Sequence, residues 1–409
     1  MGYKTPSFFY QYFILIFITT SLVACGGGGG GGDKPASSEV TAAEYFSLVS
    51  NTVKSATLEN GEHIVSFYNF EFVDGGDTDQ LFQIGISKNN SQTYTLLVPD
   101  VKDVSTVIPD GLQAYPSSII YSDESILLSV IYRVNSDSST SRSGLFIIDR
   151  ETLEFNFLPQ NQQICNPVDG LQNADGSWIF VGTCDEKAST FSADANLDNI
   201  EILDQLASNS YGGRLASIIA ASDNCLYAGG HNWEDINTQR ATHIVIRKSC
   251  DGGVSWVSDL DYYNDGHAYT SLRRLYEFNG KIQFYGHIGE DPSEGTSTAV
   301  TVVTAQRDGV EDWNFTRLPG TTVFGSSPAY YIAFETGTCN MVSFELLTDF
   351  VSNFSLSEDC GLTWGDPVAT DYGRMTGLQL DGGMITFYHY DNQFQVDKVN
   401  FSTAQTSFN

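Results

Sequence analysis

Two stretches of eight residues, 249–256 and 357–364, fit the same template of Ser-x-Asp-x-Gly-x-Ser/Thr-Trp. The spacing is typical of a turn that joins two β-strands, because the Asp accepts backbone N–H bonds, the Gly adopts a positive φ and the Trp anchors the outgoing strand. The template positions are held by Ser249, Asp251, Gly253 and Trp256 in one copy and by Ser357, Asp359, Gly361 and Trp364 in the other. A turn that recurs in this form indicates a repeated β-structure.

The template resembles the Asp-box, or BNR repeat, of the sialidase-like β-propeller superfamily. In that family the box lies between the third and fourth strands of a blade, on the side away from the ligand. The resemblance implies a propeller fold. It also implies that the eight template residues have a structural role.

A second repeated feature is a tight polar turn between two apolar, strand-like segments. It occurs at Asn60-Gly61, Asp123-Glu124, Asp175-Gly176, Asp223-Asn224, Asn279-Gly280, Gly337-Thr338 and Asp381-Gly382, at intervals of 44 to 63 residues. Asn-Gly and Asp-Gly are typical of β-hairpin turns, and the intervals suit a four-stranded blade. The sequence therefore predicts an all-β fold over residues 41–409, a seven-bladed β-propeller of four-stranded antiparallel blades, with six blades as the alternative. We expect Tyr45–Val49 to supply the fourth strand of the last blade.

The first 40 residues indicate export and anchoring. Lys4 precedes an apolar run, residues 13–23, that is too short to span a membrane, so residues 1–24 are predicted to be a signal peptide. Leu22-Val23-Ala24-Cys25 resembles the bacterial lipobox, which implies cleavage before Cys25 and a lipid on Cys25. Residues 25–40, rich in Gly, form a predicted flexible tether. No Asp follows Cys25, which in the enterobacterial sorting pattern indicates an outer membrane lipoprotein, periplasmic or surface-exposed.

The charge is strongly acidic, with 50 Asp and Glu against 20 Lys and Arg and a formal net charge of −30. Such a field opposes binding to nucleic acid and to anionic lipid. The six histidines have no zinc-type spacing, and residues 74–79 lack the ligand spacing of an EF-hand, so we expect no metal and no cofactor. We expect the chain to be a monomer whose membrane contact is made through the lipid alone.

Six cysteines remain besides Cys25, an even number in a chain predicted to enter an oxidising compartment. Sequence alone allows 15 pairings of six cysteines. The blade layout selects one, because it places the members of each pair side by side on antiparallel neighbouring strands. The predicted disulfides are Cys165–Cys184, Cys225–Cys250 and Cys339–Cys360.

In propellers of this kind, the loops from strand two to three and from strand four to the next blade form the ligand face. The layout places His231, His287 and His389 at the exits of second strands, and Arg214, Arg273 or Arg274, and Arg374 at the starts of first strands. Converging arginines would clamp a carboxylate or a phosphate. Trp233 and Tyr262 lie near the same loops and can stack on sugars.

These features predict a lipid-anchored, non-catalytic propeller that binds a protein or a glycan in the cell envelope. One alternative is a glycoside hydrolase or lyase of the sialidase-like superfamily. The Phe/Tyr-Arg-Ile-Pro motif of sialidases is absent, however, and no motif identifies the Tyr nucleophile and its Glu partner. A second alternative is an assembly factor, because seven-bladed Asp-box propellers also resemble the photosystem II assembly factor family.

Overall fold

A computed structural model describes the chain from Ser37 to Ala404, with gaps. The described ranges are 37–41, 54–57, 63–72, 78–88, 93–97, 114–122, 124–133, 141–159, 165–197, 199–207, 212–236, 239–263, 270–290, 299–308, 312–324, 330–335, 337–348, 351–370, 372, 374–391 and 393–404. The predicted signal peptide, Cys25 and the glycine run lie outside them. The described residues belong to one compact unit that runs from Pro35 to Asn409.

Within these ranges, 28 strands form seven antiparallel sheets, here called blades 1 to 7 in chain order. Blade 1 consists of β1 (Ser37–Thr41), β2 (Lys54–Thr57), β3 (His63–Phe72), β4 (Thr78–Ser87) and β5 (Thr93–Leu97). Blade 2 consists of β6 (Ala114–Tyr121), β7 (Ser125–Arg133), β8 (Ser141–Asp149) and β9 (Phe155–Pro159). Blade 3 consists of β10 (Cys165–Gln172), β11 (Trp178–Cys184), β12 (Lys187–Ala193) and β13 (Glu201–Gln205).

Blade 4 consists of β14 (Gly213–Ala220), β15 (Leu226–Ile236), β16 (Gln239–Ser249) and β17 (Val257–Tyr262), and blade 5 of β18 (Thr270–Phe278), β19 (Lys281–Glu290), β20 (Ala299–Asp308) and β21 (Asp312–Phe324). Blade 6 consists of β22 (Tyr330–Phe334), β23 (Met341–Thr348), β24 (Val351–Ser357) and β25 (Val368–Thr370). Blade 7 consists of β26 (Arg374–Asp381), β27 (Met384–Asp391) and β28 (Gln393–Asn400). A 3-10 turn, Phe401–Thr403, follows β28 and is capped by the Asn400 side chain.

The blades close into a ring through their first strands. Contacts join β2 to β6, β6 to β10, β10 to β14, β14 to β18 and β22 to β26, and β26 returns to β2. β18 and β22 meet through the rings of Tyr276 and Phe334, whose centroids are 5.2 Å apart. The prediction of a seven-bladed β-propeller is therefore confirmed, and the first strands surround a central channel.

The hydrophobic core lies between neighbouring blades. Tyr227 and Ile246 of blade 4, for example, pack against Leu272 and Phe284 of blade 5. Each inner strand is therefore covered on both faces, as β11 shows, where every residue except Thr183 is buried. This double burial explains why the strands are apolar runs and do not alternate strictly between apolar and polar residues.

The first and last blades depart from the regular pattern. β1 pairs with β5 and adds a fifth strand to blade 1, so a strand begins at Ser37, inside the predicted tether. Blade 7 has three strands in the part of the chain that the structure describes. The segment expected to complete it, Tyr45–Val49, lies outside the described residues.

The predicted hairpin turns fall between first and second strands. Gly176, Asn224, Asn279, Gly337 and Gly382 occupy these turns with positive φ values of 86°, 62°, 50°, 83° and 54°, which suits Gly and Asn. Asn60, Gly61 and Asp123 lie outside the described residues. In such a meander, the turns after first and third strands share one side of the ring, called the lower face. The starts of first strands and the connections from second to third strands form the upper face.

All three predicted disulfides are present. Their Cα–Cα distances are 4.1 Å for Cys165–Cys184, 4.2 Å for Cys225–Cys250 and 4.4 Å for Cys339–Cys360. Three such bonds indicate an oxidising, extracytoplasmic compartment. The described residues contain no helix long and apolar enough to span a bilayer.

Candidate functional site

The two template turns lie on the lower face, each between a third and a fourth strand. In the first, Asp251 accepts bonds from the Ser249 hydroxyl at 2.7 Å and from the Ser255 backbone N–H at 2.9 Å. The Ser249 hydroxyl accepts the N–H of Gly253, and the Trp256 indole N–H donates to the Gly253 carbonyl. Hydrogen bonds from Ser255 and then from Ser249 lower the pKa of Asp251 to about 2.

The second turn repeats this arrangement. Asp359 accepts the hydroxyl of Ser357 at 2.8 Å and the N–H of Thr363 at 2.8 Å. Burial alone would raise the pKa of Asp359, but the bonds from Thr363 and Ser357 lower it. The indole nitrogen of Trp364 is buried without a hydrogen-bond partner, unlike that of Trp256. Both carboxylates are occupied by turn donors, as the structural role implied by the resemblance requires.

The channel wall contains a feature that the sequence did not indicate, a β-bulge at the same place in the first strand of five blades. The bulges lie between Pro116 and Ser118, Pro167 and Asp169, Leu215 and Ser217, Leu272 and Arg274, and Met375 and Gly377. A bulge inserts one extra residue and redirects the side chains beside it.

In blades 3 to 5 a glycine on the second strand faces each bulge. A Cβ atom on Gly182, Gly230 or Gly286 would overlap the carbonyl oxygen of Asn166, Arg214 or Ser271 on the first strand. The close approach of the two backbones therefore requires glycine at these three positions.

The bulge in β18 directs two consecutive arginines into the channel. Arg273 is the extra residue, and Arg274 resumes the pairing opposite Tyr285. Both arginines are exposed, although Leu272 and Leu275 on either side are fully buried. Because β18 is an innermost strand, side chains in its middle reach solvent through the channel.

Arg214 and Arg273 form the upper part of this cationic cluster. Arg214, opposite His231 at the start of β14, is exposed like Arg273. Enclosure by the channel walls lowers the pKa of both guanidinium groups, and repulsion by Arg273 lowers that of Arg214 further. Among the described residues, neither arginine has a carboxylate within 4.0 Å, whereas Arg247 pairs with Asp204 and Arg307 pairs with Asp259.

Two histidines complete the upper part of the cluster. The Ser271 hydroxyl lies 3.2 Å from Nδ1 of His231 and stands opposite His287 in the strand register. Burial and, to a smaller extent, the charge of Arg273 together lower the pKa of His231 to about 4 and that of His287 to about 3. Both imidazoles are therefore neutral at pH 7 and offer hydrogen-bonding groups without charge.

The other predicted ligand residues lie elsewhere or are described in part. Arg374 begins β26 opposite Tyr390, the position equivalent to Arg214, and its side chain lies outside the described residues. Buried His389 contacts Asp397 at 2.8 Å and packs against Tyr372.

The two predicted aromatic residues have structural contacts. The Trp233 backbone N–H donates to the Gly212 carbonyl. The ring of Tyr262 packs on Phe315 of blade 5, with the centroids 4.5 Å apart. The first contact lies within blade 4, and the second ties blade 4 to blade 5.

Sequence reasoning missed Asp169 and Tyr285, whose charges or dipoles act on the arginines, and Ser271, which contacts His231. Asp169 lies inside an inner strand, and its charge attracts Arg274. The charges of Arg274 and Arg273 counteract the effect of burial, which raises the pKa of Tyr285. The one available signal was a charged residue within an apolar strand, which is unusual in a core.

A pocket of about 310 Å³ opens at the opposite end of the channel, lined by Arg274, Tyr276, Glu277 and Phe334 among others. Its walls include the first hairpin turns of blades 5 and 6, so it belongs to the lower face. Glu277 there accepts the backbone N–H of Ser222 at 2.8 Å. In the described residues, no three His, Cys, Asp or Glu side chains are grouped to hold a metal ion.

No protein-family model and no curated protein matches this chain. Among solved structures, the chain is similar to a protein of unknown function from Dyadobacter fermentans DSM 18053, with 10% identity, coverage of 71% of this chain and 95% of that one, and a TM-score of 0.44. It is also similar to an exo-1,5-α-L-arabinanase from a bovine ruminal metagenomic library, with 9% identity, coverage of 64% and 95%, and a TM-score of 0.39. The propeller assignment rests on the sheet order described above.

Proposed function

We propose that this protein is a non-catalytic binding propeller of the cell envelope that holds a carboxylate-bearing ligand at the upper mouth of its channel. The observation that carries the proposal is the pair Arg214 and Arg273, which lack carboxylate partners among the described residues. The chain has a formal net charge of −30, so acidic side chains are abundant elsewhere.

Electrostatics favours an anion at this place. Arg273 repels Arg214, and enclosure by the channel weakens the hydration of both. A bound carboxylate would relieve the repulsion and accept paired N–H bonds from a guanidinium group. The surrounding acidic surface would repel anions that do not reach the channel, so the site would favour compact anionic groups.

The two neutral histidines favour a glycan ligand over a peptide. Next to the arginines, His231 and His287 supply uncharged donors and acceptors, which suit the hydroxyl groups of a carboxylated sugar. An acidic peptide is the second candidate, because it needs the arginines but not the imidazoles.

The test is binding of carboxylated sugars and of acidic peptides to Arg214→Ala and Arg273→Ala, by calorimetry at several salt concentrations. Each substitution is expected to weaken binding by about 30-fold or more, since 2–5 kcal/mol is typical of truncating one partner of a desolvated charge pair. Lys281→Ala is the control, because exposed Lys281 lies at the lower end of blade 5. Binding that is unchanged in both arginine variants would refute the proposal.

A glycosidase function would require a pair of carboxyl groups at the site. Retaining and inverting glycosidases use two carboxyl groups about 5 to 10 Å apart. Among the described residues, Asp169 is the carboxylate that acts on the arginine cluster. We therefore expect binding without turnover, and release of product from a carboxylated oligosaccharide would favour the hydrolase or lyase alternative.

We further propose that Cys25 carries a lipid and tethers the propeller to the outer membrane. The support is the lipobox-like Leu22–Cys25, followed by a run of seven glycines, Gly26 to Gly32. Cys25→Ala is expected to leave the chain unprocessed or to release it into the soluble fraction. A mature wild-type protein that retains residues 1–24 would exclude the anchor.

A further inference from the structure

A second layer of channel residues lies one step below Arg214 and Arg273. It is formed by the residues that follow each bulge, namely Ser118, Asp169, Ser217 and Arg274 in blades 2 to 5. The layer contains one negative and one positive side chain, in contrast to the two positive side chains above it. Its net effect on an anion therefore depends on the ionisation of Asp169.

Asp169 is held firmly in this layer. Its Oδ1 accepts the N–H of Gly170 at 2.9 Å. Its Oδ2 accepts the N–H of Ile218 at 3.0 Å and the hydroxyl of Ser217 at 3.2 Å, both from the next blade. The carboxylate therefore joins blades 3 and 4 at a fixed position on the channel wall.

Arg274 is the cation that Asp169 acts on. Enclosure by the channel walls would lower the pKa of Arg274, but Tyr121, Tyr285 and Asp169 together raise it. Phenols are neutral at pH 7, so Asp169 is the partner in this set that can carry a negative charge there. By contrast, the same enclosure lowers the pKa of Arg273, and no carboxylate among the described residues opposes that effect.

We propose that Asp169 sets the charge of the channel and so determines how highly charged an anion the arginine site accepts. In its ionised form Asp169 offsets Arg274 and leaves Arg214 and Arg273 uncompensated among the side chains that the structure describes. Without its charge, Arg274 acts on the ligand in addition to these two. Asp169 is thus a specificity-determining residue that touches neither the ligand nor the upper arginines. The inference about ligand affinity rests on the proposed function, but the coupling of Asp169 to Arg274 does not.

Acidification is expected to have the same effect as removal of the charge. Burial raises the pKa of Asp169, while its hydrogen bonds and the charge of Arg274 oppose that rise. The groups that face it are Ser217 and Ile218 of β14, Gly170 of its own strand and Arg274 of β18. Arg214, Arg273, His231 and His287 lie in the layer above. Protonation of Asp169 would therefore strengthen anion binding as the pH falls.

The binding test compares wild type with Asp169→Asn, which keeps the shape and removes the charge. The probes are acetate, succinate and tricarballylate at constant ionic strength, which carry one, two and three carboxylates. At pH 7, where the probes are ionised, Asp169→Asn is expected to bind more tightly by about two- to tenfold per ligand charge, most for tricarballylate. Asp175→Asn is the control, because it removes the same charge at the lower end of β10.

A gain in affinity cannot result from partial unfolding, so this outcome separates the proposal from a structural role of Asp169. Affinities that are unchanged or weakened equally for the three probes would overturn it. If the wild-type protein binds none of the three probes, the proposed function is refuted instead.

A measurement without ligand then tests the electrostatic coupling between Asp169 and Arg274, independently of the proposed function. The Asp169 carboxyl is titrated by 13C NMR in wild type, Arg274→Gln and Arg274→Lys. The glutamine variant is expected to titrate at higher pH and the lysine variant close to wild type. An Asp169 pKa that does not change in Arg274→Gln would overturn the inference.

Discussion

The two faces of the propeller treat their charges in opposite ways. On the lower face, Asp251 and Asp359 each accept two hydroxyl and one backbone donor within one turn. At the upper mouth, Arg214 and Arg273 face each other without a carboxylate among the described residues. Charge that is fully satisfied by local donors stabilises a fold, whereas charge left without a partner costs stability. The lower face therefore stabilises the fold, and the upper mouth is where the proposed function places the ligand.

Loss of a lower-face disulfide should produce the largest difference between its effect on stability and its effect on anion binding. Replacing Cys225 and Cys250 together by Ala removes a bond at the lower end of blade 4 that spans 25 residues. The free energy of unfolding is expected to fall by about 3 kcal/mol in the chain-entropy model, with anion affinity unchanged. Chemical denaturation and calorimetry on the same variant provide both values. A large loss of affinity in a variant of normal stability would break the comparison.

Acid should destabilise the upper mouth specifically. The pKa values of His231 and His287 are lowered from the ordinary 6.5 to about 4 and about 3. Their contribution to stability is therefore present above pH 6.5 and is lost as the pH falls towards these values. By pH 4 the loss is about 3 kcal/mol for each histidine. Replacing either histidine by Gln should flatten the curve of unfolding free energy against pH between 6.5 and 4.

His243 provides a control of opposite sign on the same blade. The hydrogen bond of its Nδ1 to Asp261, at 2.8 Å, raises its pKa against the effect of burial. Its contribution is therefore present below pH 6.5 and is lost as the pH rises through the raised value. His243→Gln should destabilise the protein at pH 5.5 more than at pH 9. The same direction of change for His243 and His287 would contradict the electrostatic account of the channel.

The structural role of the lower-face turns can be tested by comparing Asp359, which accepts the turn hydrogen bonds, with its neighbour Glu358. Asp359→Ala leaves the donors of Ser357 and Thr363 without their acceptor and should lower the free energy of unfolding by about 1–2 kcal/mol. Glu358→Ala removes the same charge from the neighbouring exposed position and should leave stability within about 0.5 kcal/mol. Equal losses would show that charge, and not the turn, is responsible. Asp251→Ala is expected to change stability in the same direction as Asp359→Ala.

The sequence predicted the fold well because each blade is specified by local signals. Hairpin turns such as Asn279-Gly280 and the cysteine pairs report neighbours along the chain. The bulges could not be predicted, since they depend on pairing between strands. Arg273 was therefore expected at the place equivalent to Arg214, where the structure has Ser271. Asp169 was missed for a related reason, because its interaction with Arg274, two blades away, depends on how the blades are arranged around the channel.

The smallest expected effect compares the two tryptophans of the template turns. The Trp256 indole donates to the Gly253 carbonyl at 2.9 Å, whereas the buried indole nitrogen of Trp364 has no partner. Trp256→Phe should therefore lose a hydrogen bond in addition to packing. Trp364→Phe loses similar packing but also removes an unsatisfied buried donor, which is a stabilising change. Denaturant unfolding should show Trp256→Phe to be the less stable variant by about 1 kcal/mol, with anion affinity equal in both. If Trp364→Phe is the less stable of the two, the indole nitrogen of Trp364 has a partner, and the two turns are more alike than their hydrogen bonds indicate.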